Sequence, residues 1–121
     1  MTAGLIEGQV LVVEDAPIIA ADIAAALEEA GAQVKVAATY ESAYELMDSH
    51  QLVGAIIDHV SADGRRTALC EELRRRDVPV VIYSGNSSPL PEDRGHLYVP
   101  KPATMEHLVQ ALKSVMHKSF A

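Results

Sequence analysis

The feature that most constrains this chain is a repeated alternation of short apolar runs with segments of helical periodicity. Five runs rich in Val, Ile and Leu predict buried strands over 9–13, 34–37, 52–57, 80–83 and 97–99. Four segments carry apolar residues at helical spacing, over 17–30, 41–49, 68–76 and 104–116. Strands that alternate with helices indicate an α/β fold, a doubly wound parallel sheet with helices on both faces.

Length and charge narrow the class of protein further. A chain of 121 residues holds one domain, here predicted over 1–121 with its core at about 9–117. The net charge of −7 disfavours a nucleic-acid partner, and no apolar run is long enough for a membrane span. The single cysteine, Cys70, excludes an internal disulfide and fits a reducing compartment. We therefore expect a soluble, cytoplasmic protein.

Polar side chains follow four of the five predicted strands. Glu14 and Asp15 come after the first strand, Asp58 after the third, Ser84 after the fourth and Lys101 after the fifth. Ligands of open α/β sheets bind beyond the carboxyl ends of the strands, so these residues are expected to converge there. If the strand order is 2-1-3-4-5, the three carboxylates come together. Their charge calls for a hard divalent cation with oxygen ligands, and the sequence predicts Mg²⁺.

The same group of residues indicates phosphoryl chemistry. A metal ion, a lysine ammonium and a serine hydroxyl can together stabilise charge on the oxygens of a phosphoryl group in transfer. A carboxylate in such a group can serve as the nucleophile.

Over essentially its whole length, the chain resembles the response-regulator receiver domains of two-component signalling. The resemblance lies in motifs that occur in order at the ends of the predicted strands: Glu14-Asp15, Asp58, Ser84, Tyr98 and Lys101-Pro102. It implies the flavodoxin-like (βα)5 fold with strand order 2-1-3-4-5. The implied function is a stand-alone phosphoacceptor and not an enzyme, beyond self-catalysed aspartyl phosphorylation and dephosphorylation.

The resemblance also implies how the phosphoryl group arrives and which residues hold the metal. Asp58 would accept the group from a histidine kinase or a histidine phosphotransfer protein. Asp15, Asp58 and the backbone carbonyl of Val60 would bind Mg²⁺ or Mn²⁺, with Glu14 acting through water.

Three further residues take roles in the switch that the resemblance implies. Lys101 would pair with Asp58 or its phosphoryl oxygens. Ser84 would shift toward the phosphoryl group, and Tyr98 would turn into the space that Ser84 vacates. The bond from Lys101 to Pro102 is a candidate cis peptide. The altered surface would then bind a downstream protein whose identity the sequence does not give.

Two segments depart from the family pattern. Ser61 and Ala62 stand where the family usually has an apolar residue and a proline, and Asp63-Gly64 arrives about two residues early. The stretch 84–98 is short and contains prolines and a glycine, so the fourth helix of the family is expected to be short or absent.

Two other functions fit parts of the sequence. A pseudo-receiver that binds partners without phosphorylation would explain the altered segment after Asp58, although the retained Asp58 and Lys101 argue against it. A phosphate-ester hydrolase of the haloacid-dehalogenase type would need a second aspartate where this chain has Val60.

Overall fold

The computed structural model describes residues 5–58, 64–84 and 97–118. Five strands form one parallel sheet: β1 (Gln9–Val13), β2 (Gln33–Ala37), β3 (Leu52–Ile57), β4 (Val80–Ser84) and β5 (Leu97–Pro100). The described residues also contain four helices: α1 (Pro17–Glu29), α2 (Tyr40–Ser49), α3 (Gly64–Arg75) and α4 (Met105–Lys118). The strand order is β2-β1-β3-β4-β5, which confirms the predicted class and topology.

The sheet separates two apolar layers because successive side chains of a strand point to opposite faces. Val12 and Ile56 belong to the layer beneath α1 and α4. Val13 and Ile57, the next residues along the same two strands, belong to the layer beneath α2 and α3. All four side chains are buried, so the central strands are covered on both faces.

Helix α1 begins and ends at residues suited to those positions. Pro17 occupies the first turn, where its missing N–H costs no intrahelical hydrogen bond. Gly31 follows the helix with φ of +103°, a conformation that side chains other than glycine rarely adopt. The buried face is narrower than the apolar periodicity predicts, because Ile19 lies at its edge and remains 39% exposed.

Helix α2 begins after a capping box formed by Thr39 and Ser42. The Thr39 hydroxyl accepts a hydrogen bond from the backbone N–H of Ser42, and the Ser42 hydroxyl accepts one from the N–H of Thr39. Two N–H groups that the first turn would leave unpaired are thereby satisfied. This cap fixes the start of the helix that follows β2.

Helix α3 is longer than its periodicity predicts, since it begins at Gly64 instead of residue 68. The added turn is held by tertiary contacts: Arg66 is buried and the Arg65 guanidinium lies 5.2 Å from the centre of the Tyr40 ring. Such contacts stabilise a helix beyond its intrinsic propensity.

The prediction of a short or absent fourth helix concerns residues between β4 and β5, and 85–96 lie outside the described residues. Across the described parts of the chain, no helix is sufficiently long and apolar to span a membrane.

Candidate functional site

The strand register brings four of the predicted site positions to one edge of the sheet. Val13 pairs with Ile57, so the residues that follow them, Glu14 and Asp58, are neighbours at the carboxyl ends of β1 and β3. The N–H of Asp58 donates to the carbonyl oxygen of Val13 at 2.8 Å and extends this pairing beyond the strand. On the other side of β3, β4 and β5 end at Ser84 and Pro100, and Lys101 follows directly.

Asp58 forms the centre of the site. Its side chain is buried, with 3% of the residue exposed, and its Oδ1 atom lies 2.6 Å from Nζ of Lys101. Its second oxygen, Oδ2, is buried and has no hydrogen-bond partner among the described residues. A buried carboxylate with one unsatisfied oxygen carries a desolvation cost that a further cation or donor would relieve.

Glu14 is buried beside Asp58, with 3% of the residue exposed. Burial raises the pKa of Glu14 to about 8, helped by the hydrogen bond and charge of Asp58 and by a hydrogen bond with Asp15. A bond of 2.8 Å from the N–H of Ala16 to Glu14 Oε2 acts in the opposite direction and lowers the pKa. The folded chain thus holds two close carboxyl groups that resist simultaneous ionisation.

Lys101 supplies the positive charge that faces these carboxyl groups. Burial lowers the pKa of its ammonium, but the hydrogen bond and charge of Asp58, together with the charge of Glu14, outweigh burial and raise the pKa above its usual value. The ammonium therefore stays protonated at neutral pH. Its peptide bond to Pro102 is cis, the geometry that the resemblance implies.

The other predicted site residues have different positions. Asp15 is exposed at the rim, unlike Glu14. Tyr98 is half-buried on β5 and packs against the layer beneath α2 and α3. The backbone of Ser84 ends β4, whereas its side chain, like the whole of Val60, lies outside the described part of the structure.

Tyr83 is a neighbour of the site that the sequence analysis missed. The Lys101 ammonium lies 5.0 Å from the centre of its ring, and its hydroxyl exchanges hydrogen bonds with the backbone of Ala103. Nothing in the sequence separates this tyrosine from the other apolar residues of β4, except that it directly precedes Ser84.

The buried carboxyl groups fit a divalent cation. Among the described residues, no three His, Cys, Asp or Glu side chains form a ready-made metal cluster. Mg²⁺, however, usually takes only one or two carboxylates and keeps several waters. The unsatisfied Oδ2 of Asp58 and the costly ionisation of Glu14 beside it are the features that such an ion would stabilise.

Comparison with known proteins identifies the family. The family model for the response regulator receiver domain matches residues 10–113, and the chain therefore belongs to that family. It is a receiver domain of the kind found in two-component signalling. A comparison with curated protein sequences found no match.

Several solved structures share the fold. The chemotaxis response regulator CheY4 of Vibrio cholerae is 22% identical, with a TM-score of 0.79 over 91% of this chain and 99% of that chain. A CheY-like receiver domain protein of Methanospirillum hungatei is 22% identical, with a TM-score of 0.80 over 95% and 98% of the two chains. The response regulator TrrA of Thermotoga maritima, solved in complex with Mg²⁺ and BeF, is 22% identical, with a TM-score of 0.77 over 89% and 98%.

Proposed function

We propose that this receiver domain is switched by Mg²⁺-dependent phosphorylation of Asp58. The donor would be a histidine kinase or a histidine phosphotransfer protein, and the phosphorylated surface would bind a downstream protein in the cytoplasm. The observation that carries the proposal is the Lys101–Asp58 contact of 2.6 Å, with the second Asp58 oxygen buried and without a hydrogen-bond partner in the described part of the chain.

The proposed reaction is a transfer to the carboxylate itself. An oxygen of Asp58 forms a bond to phosphorus, the bond from phosphorus to the donor breaks, and the donor leaves with that electron pair. Lys101 orients the Asp58 carboxylate and places a positive charge beside the group that gains negative charge. Hydrolysis of the acyl phosphate resets the site, so the chain modifies itself and turns over no separate substrate.

The metal would be held by the carboxylates of Asp15 and Asp58 and by the carbonyl of Val60, with Glu14 acting through water. When bound, Mg²⁺ supplies positive charge that offsets the negative charge on the phosphoryl oxygens. Glu14 contributes through its buried position, since its raised pKa disfavours ionisation beside Asp58 at neutral pH and a further positive charge would favour it.

The proposed output depends on the residues that end β4 and line β5. Ser84 and Tyr98 would respond to the phosphoryl group, with Tyr98 moving from its half-buried position on the α2 and α3 side of the sheet. Such a movement alters a protein-binding surface without any change in fold.

Mass spectrometry of the intact protein tests this function. After incubation with Mg²⁺ and acetyl phosphate, the wild-type chain is expected to gain a single phosphoryl group. Asp58→Asn and a wild-type sample with chelator are expected to gain none, because the first lacks the nucleophile and the second lacks the metal. An unmodified wild-type chain under all conditions would instead favour the pseudo-receiver.

A further inference from the structure

Tyr83 contacts the loop that carries Lys101 at three points. Its backbone pairs with Val99 across β4 and β5, before Lys101. Its hydroxyl donates to the carbonyl oxygen of Ala103 and accepts from the N–H of Ala103, both at 3.2 Å, after Lys101. Its ring lies 5.0 Å from the Lys101 ammonium. One residue thus fixes both ends of the loop and contacts the charged group between them.

The register also places Tyr83 level with Asp58. Ile57 pairs with Ile82, so the next residue of each strand, Asp58 and Tyr83, stand side by side at the edge of the sheet. Tyr83 belongs to the layer beneath α1 and α4, and alternation along β3 directs Asp58 to the same side. The ring and the carboxylate therefore approach the Lys101 ammonium from the same face of the sheet.

Lys101 needs such support because a lysine side chain is flexible. Its side chain is 33% exposed, and a lone ion pair at that exposure leaves the ammonium considerable freedom. The face of an aromatic ring attracts an ammonium and restricts where it can lie. Tyr83 itself is buried, with its hydroxyl held by Ala103, so its ring offers a rigid surface.

We propose that Tyr83 is a positioning residue of the phosphorylation site, which holds the Lys101 ammonium against Asp58 through its ring and the loop 100–103 through its hydroxyl. This inference rests on the proposed function and goes beyond it, because it assigns a role to a residue outside the family motifs. The ring and the hydroxyl act on different groups, so two variants can separate the effect of the ring from the effect of the hydroxyl.

The test combines nuclear magnetic resonance with the rate of adduct formation from acetyl phosphate. In wild type, the ring current of Tyr83 is expected to shift the ε-methylene protons of Lys101 upfield. Tyr83→Leu is expected to abolish this shift and slow phosphorylation roughly tenfold, because Lys101 loses its placement. Tyr83→Phe is expected to keep the shift and react at an intermediate rate, while the amide proton of Ala103 moves upfield as its acceptor is lost.

Tyr44 provides the matched control, since it is a half-buried tyrosine that packs against the opposite layer. Tyr44→Leu and Tyr44→Phe are expected to leave the Lys101 resonances and the reaction rate within twofold of wild type. Equal slowing by the Tyr44 and Tyr83 variants would show a general effect of lost packing and overturn the inference.

Either of two results for Tyr83→Leu would also overturn the inference: a reaction rate within twofold of wild type, or Lys101 proton resonances that do not move. If Tyr83→Leu does not fold, Tyr83→Phe decides, and a wild-type rate with an unmoved Ala103 amide proton contradicts the inference. A wild-type chain that takes up no phosphoryl group would overturn the proposed function itself, which distinguishes that failure from a failure of the Tyr83 role.

Discussion

In the absence of divalent cations, raising the pH from about 5 to about 8 is expected to lower the free energy of unfolding by roughly 2–4 kcal/mol. Glu14 is the cause, because burial and the neighbouring Asp58 raise its pKa to about 8 in the folded chain. The unfolded chain releases this proton at the ordinary carboxyl pKa, whereas the folded chain retains it. The stabilisation is therefore fully present below the ordinary pKa, declines between the two values and is lost above the folded pKa.

Chemical denaturation at a series of pH values, with chelator present, measures this effect. Glu14→Gln keeps the shape of the protonated side chain and removes its titration. The free energy of unfolding of this variant is therefore expected to change less with pH, and to exceed that of wild type most at the alkaline end of the series. Glu45→Gln serves as the control, since Glu45 is exposed on α2. Parallel profiles for wild type and Glu14→Gln would show that Glu14 does not titrate in this window.

Replacement of Lys101 by methionine is expected to slow phosphorylation from acetyl phosphate about 100-fold. The ammonium at 2.6 Å from Asp58 is the positive charge nearest the nucleophile among the described residues, and methionine retains the length of the side chain without that charge. The free energy of unfolding is also expected to fall, because the variant leaves the buried Asp58 carboxylate without its cationic partner. The rate of adduct formation and the free energy of unfolding, measured on the same samples, separate the two effects.

Two companion variants sharpen this comparison. Lys113→Met makes the same chemical change on α4 and is expected to react at the wild-type rate. Lys101→Arg keeps the charge but changes its shape and reach, so an intermediate rate is expected. A Lys101→Met chain that reacts as fast as wild type would contradict the role assigned to the Lys101–Asp58 contact.

The topology of the fold could be predicted because it depends on simple periodicities. Short apolar runs marked the buried strands, and the alternation with helices limited them to a parallel sheet. The approach of Glu14, Asp58 and Lys101 followed from the rule that strands of such a sheet end at a common edge. These inferences required only the order of residues along the chain.

The remaining features depend on contacts between distant residues. The sequence does not show which member of the Glu14-Asp15 pair is buried, whereas the structure buries the first and exposes the second. The role proposed for Tyr83 in positioning Lys101 depends on the register of β4 with β5 and on the path of the chain to Ala103. The early start of α3 depends on Arg66, which a pattern of apolar residues does not reveal as buried.

Chemical location of the phosphoryl group tests the central claim most directly. Borohydride reduces an aspartyl phosphate to homoserine, and peptide mass spectrometry then identifies the altered position. After incubation with acetyl phosphate and Mg²⁺, we predict homoserine at position 58 alone, and none when chelator replaces the metal. Three results would contradict the assignment of Asp58 as the phosphoacceptor. They are homoserine at another position, a phosphohistidine that borohydride does not reduce, and no product in the presence of Mg²⁺.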